Sequence, residues 1–113
     1  VLVPIQCEYY ALEGLSQLIH TVELVRDRLN PKLTIEGVVF TMYDARTNLS
    51  LQVVENVKDN LEQTIYKTII PRNIRLAEAP SYGIPINKYD PKSAGAESYL
   101  RLADEVIDKE NEE

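Results

Sequence analysis

Residues 33–43 read Leu-Thr-Ile-Glu-Gly-Val-Val-Phe-Thr-Met-Tyr, and they are the stretch from which the rest of the fold can be inferred. The run Val38-Val39-Phe40-Thr41 follows Gly37. β-Branched and aromatic side chains of this kind pack well on a pleated, half-buried surface. We therefore predict a β-strand over residues 33–43.

Helical patterns flank this strand on both sides. Residues 11–29 repeat apolar side chains every three to four positions, which indicates an amphipathic helix, and Asn30-Pro31 should end it. Downstream, Thr47 and Asn48 can cap a second helix whose apolar face is formed by Leu49, Val53, Val57 and Leu61.

Further outward, residues 1–5 and 65–70 are short apolar runs that predict two more strands, the second ending at Pro71. Ser93 should cap a last helix whose acidic end, residues 108–113, is expected to fray. Its predicted inward positions are Ala96, Tyr99, Leu100, Ala103, Val106 and Ile107. Strands separated by helices imply right-handed crossovers. The predicted fold class is α/β, with about three parallel strands and three main helices.

Composition bounds the possibilities. The chain has 113 residues, 44% apolar and 27% charged, which predicts one soluble domain over residues 1–113. No apolar run approaches the roughly 20 residues that a membrane helix needs. Cys7 is the only cysteine, so we expect an ordinary buried thiol in a reducing cytoplasm. Because the chain starts at Val1 within an apparent strand, we expect a fragment of a larger protein.

The charge is distributed unevenly. The net charge is −6, but residues 104–113 alone contain six acids and one lysine, which leaves a net charge of −1 on residues 1–103. Basic residues concentrate in residues 67–92. The overall acidity therefore does not exclude nucleic acid as a partner.

Parallel strands place all their carboxyl ends at one edge of a sheet, where open α/β sheets bind ligands. Residues 6–10, 41–48 and 71–86 should therefore converge there. Four of the six prolines fall in or just after residues 70–86, which predicts a long loop pinned by proline. Such loops in compact domains are usually binding loops.

Arginines in these segments suggest phosphate as a ligand. Arg72 and Arg75 have Lys67 and Lys88 near them in sequence, and arginine binds phosphate oxygens with two parallel hydrogen bonds. Arg46 is either a solvated arginine beside an Asx turn at Asp44 or a phosphate ligand, and the residues alone favour the Asx turn. Any DNA contact would be with the backbone, sensitive to salt and blind to sequence.

Four segments in series resemble the ParA/Soj partition ATPases, which carry a deviant Walker-A P-loop. They are Pro-Ile-Gln-Cys-Glu-Tyr-Tyr-Ala-Leu-Glu-Gly at 4–14, Thr-Met-Tyr-Asp-Ala-Arg-Thr at 41–47, residues 70–81, and Tyr-Asp-Pro-Lys-Ser-Ala-Gly-Ala at 89–96. The resemblance is to the C-terminal half of that family, so it implies a partial sheet like that of P-loop NTPases.

The resemblance also implies a function for the parent protein. Such proteins dimerise with ATP and Mg²⁺ and bind DNA nonspecifically. A ParB/Spo0J-type partner stimulates hydrolysis, and some members regulate sporulation or replication initiation. By motif, the residues expected near the adenine are Thr41, Met42, Pro71, Arg72 and Asn73, and those expected to hold DNA are Arg46 and Arg75.

These residues contain no GxxxxGK[ST] stretch and no catalytic or metal-ligating set. We therefore expect the chain to be inactive alone, to bind ATP weakly or not at all, and to form a dimer or higher assembly. We expect the parent protein to be cytoplasmic and associated with the nucleoid. One alternative is a non-enzymatic DNA-binding or protein-interaction module. A less favoured one is a MinD-type membrane ATPase, because an acidic C-terminus would be repelled by anionic lipid.

Overall fold

The structure is a computed structural model that describes residues 1–112. It consists of three strands and five helices in the order β1 (Leu2–Gln6), α1 (Ala11–Arg28), β2 (Gly37–Tyr43), α2 (Asn48–Asn60), β3 (Ile65–Pro71), α3 (Ile74–Tyr82), α4 (Ile86–Tyr89) and α5 (Ala94–Glu112). The predicted α/β class with three strands is confirmed. The structure has the three long helices that were predicted and two shorter ones, α3 and α4, that were not.

The three strands form one parallel sheet in the order β1-β2-β3. Val3 pairs with Val38 in a regular register between β1 and β2. Between β2 and β3, however, the pair Val38–Ile65 is followed by Phe40–Ile69, so β3 carries two extra residues at this point. This irregularity makes β3 bulge between Ile65 and Ile69.

Helices cover both faces of the sheet. Successive side chains of β2 point to opposite faces, and both sets are buried. Val38 and Phe40 belong to one core with β1, α1 and α2, whereas Val39 belongs to a second core with Tyr66, Ile70 and Leu102. All three strands therefore contribute to a layered α/β/α arrangement whose carboxyl edge stays open for a site.

Two predicted helix starts are confirmed by their caps. The Thr47 side chain accepts the backbone N–H of Ser50, and the Ser93 Oγ accepts that of Ala96. Both hydroxyls satisfy donors that the first turn of a helix leaves unpaired. The fraying predicted for residues 108–113 stays a prediction: α5 continues to Glu112, and Glu113 lies outside the described residues.

The predicted strand over residues 33–43 is four residues too long. β2 begins at Gly37, which pairs with Leu2. Further upstream the chain is still in the turn that follows α1, where the N–H of Leu33 donates to the carbonyl of Asn30.

The loop predicted over residues 70–86 is wrong, because most of it is helical. Pro80 lies in the last turn of α3, so its missing N–H removes only one helical hydrogen bond. Gly83 then ends the helix with φ 64°, a left-handed conformation that glycine adopts readily. Pro85 precedes α4 instead of interrupting it.

The inward face predicted for α5 is also partly wrong. Leu100 and Ile107 are more than half exposed, whereas Leu102 is buried and Val106 packs against the second core. The apolar residues of α5 cover more than one face, so their spacing alone did not define which face meets the sheet.

Candidate functional site

A cavity of about 670 Å³ opens at the carboxyl edge of the sheet. Its wall contains residues from the ends of all three strands together with parts of α3 and α5: Pro4, Gln6, Thr41, Met42, Ile70, Pro71, Arg72, Asn73, Ile74, Leu76, Ala77 and Tyr99. The predicted convergence of three distant segments at one edge is thus confirmed.

All five residues expected around the adenine line this cavity. Thr41 and Met42 come from the end of β2, and Pro71, Arg72 and Asn73 come from the end of β3 and the start of α3. Two backbone hydrogen bonds hold the segments together: the N–H of Arg72 donates to the carbonyl of Tyr43 at 2.8 Å, and the N–H of Cys7 donates to that of Thr41 at 3.0 Å. The adenine role itself stays a prediction.

Met42 adopts a left-handed backbone conformation, with φ 53°. For a residue with a Cβ this costs on the order of 1–2 kcal/mol. Such a cost persists only where the surroundings hold the residue in place, and here hydrogen bonds to the carbonyls of Thr41 and Tyr43 fix the backbone on both sides. The strain therefore lies in the cavity wall.

Asn73 has two roles available in this wall. Its Oδ1 accepts the N–H of Arg75 at 2.9 Å and so caps α3. That bond uses the amide oxygen and leaves the Nδ2 group as a hydrogen-bond donor. The apolar side chains of Met42, Ile70 and Pro71, combined with a few polar groups, are typical of a small-molecule site, and the volume is within the usual range.

Several wall residues were missed by the sequence reasoning. Gln6, the last residue of β1, belongs to the segment 6–10 that was expected at this edge, but no ligand role was predicted for it. Tyr99 was instead assigned to the core. The structure leaves this residue 42% exposed in the cavity wall, and no local pattern distinguishes that position.

Arg46 lies outside this cavity and is paired with Asp44. Its Nε and Nη2 donate to the two carboxylate oxygens at 3.0 Å each, and its backbone N–H donates to Asp44 Oδ1 at 3.0 Å. The predicted Asx turn is therefore present. Hydrogen bonds from the Arg46 side chain and backbone lower the pKa of Asp44, which keeps that carboxylate ionised.

Arg75 is paired with two carboxylates. Its Nη1 donates to Glu78 at 3.1 Å, and its Nε lies 3.4 Å from Asp90, the residue that follows α4. The Tyr89 hydroxyl donates to the same Glu78 oxygen at 2.7 Å. The hydrogen bonds from Tyr89 and then Arg75 lower the pKa of Glu78, so the cluster contains a charged carboxylate at neutral pH.

Cys7 behaves as the sequence predicts for a structural thiol. It is buried in the first core, and this burial raises its pKa to about 11. A thiol with so high a pKa stays protonated near neutral pH and is a poor nucleophile.

Comparison with known proteins identifies the fold and the family. A family model described as an AAA domain matches residues 1–35. The chain is 64% identical over 106 residues to the sporulation initiation inhibitor protein Soj of Bacillus subtilis (strain 168). The chain belongs to the Soj/ParA family. It is also 54% identical to the chromosome partitioning protein ParA of Myxococcus xanthus (strain DK1622).

The match covers nearly all of this chain but less than half of each of these Soj/ParA relatives. It covers 94% of this chain and 42% of the Bacillus protein, and 97% of this chain and 39% of the Myxococcus protein. The chain therefore spans about two fifths of the length of the Soj/ParA relatives that it matches.

Solved structures support the same fold assignment for this Soj/ParA chain. It superposes on cobyrinic acid a,c-diamide synthase from Mycobacterium smegmatis, which was crystallised with an ATP analogue and magnesium, with a TM-score of 0.71 and 33% identity. The superposition covers 95% of this chain and 36% of the synthase. The sheet described above is thus part of a P-loop ATPase fold.

Proposed function

We propose that this chain is the C-terminal portion of a ParA/Soj-type ATPase that partitions chromosomes or plasmids. In this proposal the parent protein dimerises with ATP, binds DNA without sequence preference, and hydrolyses ATP when a ParB/Spo0J-type protein binds. The observation that carries the proposal is the cavity at the carboxyl edge whose wall contains all five residues expected at the adenine. The identity to Soj and ParA proteins supports it.

The cavity would hold the adenine, and the phosphates and Mg²⁺ would be held by other parts of the parent protein. Within residues 1–112 no group of three or more His, Cys, Asp and Glu side chains could hold a metal ion. When bound, ATP with Mg²⁺ supplies the phosphoryl-transfer chemistry. Met42 and Pro71 would hold the base in this chain, and Asn73 Nδ2 would be available to it as a hydrogen-bond donor.

Because the phosphate-binding parts supply most of the affinity for ATP, we expect the 113-residue chain to bind the nucleotide weakly or not at all. No helix in the described part of the chain is long and apolar enough to cross a membrane. Partition of DNA would place the parent protein on the nucleoid.

DNA binding is proposed to depend on Arg46 and Arg75, two exposed arginines from segments that follow β2 and β3. The strands carry both segments to the same edge of the sheet, so one backbone of a DNA duplex could lie along them. Contacts of this kind neutralise phosphates and release counterions, which makes binding weaken steeply with salt.

The test is charge reversal in the full-length protein with ATP present. Arg46→Glu and Arg75→Glu should each weaken binding to a random-sequence duplex by at least about tenfold and flatten the dependence on salt, since each removes one phosphate contact. Fluorescence anisotropy over a range of salt concentrations measures both quantities.

Arg28→Glu is the matched control. Arg28 is exposed at the end of α1. This helix connects two parallel strands, so its end lies near the amino edge of the sheet, away from Arg46 and Arg75. The control changes the net charge equally and should leave DNA binding within about twofold of the unmodified protein. Unchanged binding by both reversed variants would disprove the assigned DNA role.

A further inference from the structure

The arrangement around Arg75 has a consequence for any phosphate that approaches it. Arginine offers two edges for a bidentate contact, one formed by Nε and Nη2 and the other by Nη1 and Nη2. Asp90 lies against Nε, and Glu78 accepts from Nη1. Each edge therefore already has one nitrogen engaged by a carboxylate.

The carboxylate of Glu78 is itself held in place. The hydroxyl of Tyr89 donates to it at 2.7 Å, and the ring of Tyr89 stacks on that of Tyr82 with 5.3 Å between ring centroids and 23° between ring planes. Asp90 is fixed by its position at the end of α4, where its backbone N–H donates to the carbonyl of Ile86. Both acids are thus part of the packing between α3 and α4.

The local charge is balanced by these acids. Arg75 and Lys88 contribute two positive charges to the α3–α4 surface, and Glu78 and Asp90 contribute two negative charges. A segment that the sequence shows as basic is therefore close to neutral where Arg75 lies.

We propose that Glu78 and Asp90 mask Arg75 and compete with DNA phosphate for its guanidinium group, so that they limit the affinity of the protein for DNA. The proposal rests on the DNA-binding role proposed above for Arg75. It assigns to these two acids a regulatory effect on that site: a phosphate makes a bidentate contact only after it displaces at least one carboxylate.

The experiment is a double-mutant cycle in the full-length protein with ATP, using a labelled random-sequence duplex. The variant Glu78→Gln with Asp90→Asn should bind DNA about three- to tenfold more tightly at low salt, because each exposed ion pair that the phosphate no longer has to break is worth about 0.2–1 kcal/mol. In an Arg75→Ala background the same two changes should alter affinity by less than about twofold.

The cycle separates this proposal from its rivals. An equal gain in both backgrounds would mean that the acids act only through the general field, and weaker binding with Arg75 present would mean that they orient the arginine for DNA. Either result overturns the masking proposal while the DNA role of Arg75 stands. If instead Arg75→Ala binds DNA as well as the unmodified protein, the DNA role itself is wrong.

Folding is checked by thermal unfolding of each variant. Glu78→Gln retains an amide oxygen that can accept from Tyr89, and Asp90→Asn alone is the fallback, since the described contacts of the Asp90 side chain are with Arg75. Asp90→Asn should give a smaller gain of about two- to threefold, again only with Arg75 present. No gain from a folded Asp90→Asn variant contradicts the competition at Nε.

Discussion

Gly37 starts the central strand because there is no room for a side chain at this position. A Cβ there would lie 2.6 Å from Cε2 of the Tyr66 ring, which packs against the backbone of β2 from the second core. Gly14, within α1, has no atom within 4 Å of the corresponding point. Position 37 therefore has no space for a side chain, whereas position 14 has space for one.

Alanine at these two positions should change stability in opposite directions. Gly37→Ala should lower the free energy of unfolding by about 1–3 kcal/mol, because the Tyr66 ring must move. Gly14→Ala should raise it by about 0.5–1 kcal/mol, because alanine loses less backbone entropy in a helix. Urea denaturation of the two variants measures both effects, and equal shifts would contradict the packing described for Tyr66.

At the scale of single residues, the sequence identified Gly37 only as the start of a run that favours a strand. The reason for a glycine lies in Tyr66, which is 29 positions away and reaches it only through the tertiary fold. The caps at Thr47 and Ser93 were predictable because their partners lie three residues further along the chain.

Among the secondary-structure elements, β3 and α5 are joined by one carboxylate. Where β3 bulges, the backbone N–H groups of Lys67 and Thr68 both donate to Glu105 of α5, at 2.7 and 2.9 Å. Desolvation raises the pKa of Glu105, but the hydrogen bonds from these two N–H groups outweigh it and lower the pKa. An edge strand with occupied donors is a poor template for pairing with another strand.

Glu105→Gln should lower the free energy of unfolding by about 1–2 kcal/mol at pH 7, because hydrogen bonds to a charged acceptor are lost. The folded state has the lower pKa, so this contribution is complete above the unfolded pKa, near 4.5, and disappears as the pH falls through the folded pKa. The variant and the unmodified protein should therefore converge in acid.

Denaturation at neutral and acid pH measures this difference, and hydrogen exchange at Lys67 and Thr68 should become faster in the variant at neutral pH. Glu97→Gln, an exposed position in the first turn of α5, is the control and should leave both quantities nearly unchanged. A constant difference across the pH range would contradict the assigned role of the carboxylate.

The elements themselves were largely predictable, because strands and amphipathic helices follow local patterns. The exceptions were α3 and α4, because the prolines in and after residues 70–86 predict a loop and not a helix. Whether proline is tolerated depends on its position within the helix, and Pro80 lies in the last turn, where few hydrogen bonds remain to be broken.

On the scale of the whole molecule, the sheet has an uncovered side. Within residues 1–112, β1 pairs only with β2. Apolar and aromatic side chains, Tyr9, Tyr10 and Leu18, are exposed around a second cavity of about 520 Å³ beside β1. A free strand edge next to apolar surface favours association.

We therefore expect the 113-residue chain to form a dimer or higher assembly. Sedimentation velocity at tens of micromolar should show the assembly, and Leu18→Glu should shift it toward monomer. Leu29→Glu is the control, because Leu29 is exposed at the end of α1, away from this surface. A stable monomer at these concentrations would contradict the expectation.

The convergence of three strand ends was predictable from topology alone, since parallel strands leave no other arrangement. The contribution of Tyr99 was not, because it depends on how α5 docks on the sheet. Local patterns therefore predicted which segments form the candidate site and missed part of its wall.

The position of Tyr99 late in the chain means that one part of the cavity wall is synthesised after the rest. The strand ends that form most of the wall lie before residue 74, whereas Tyr99 belongs to the last helix of the chain. During synthesis on the ribosome, the emerging polypeptide can pair its strands while this side of the cavity is still open. A complete pocket exists only after α5 has been made and docked, so a nascent chain that stops before residue 99 cannot present the finished binding surface.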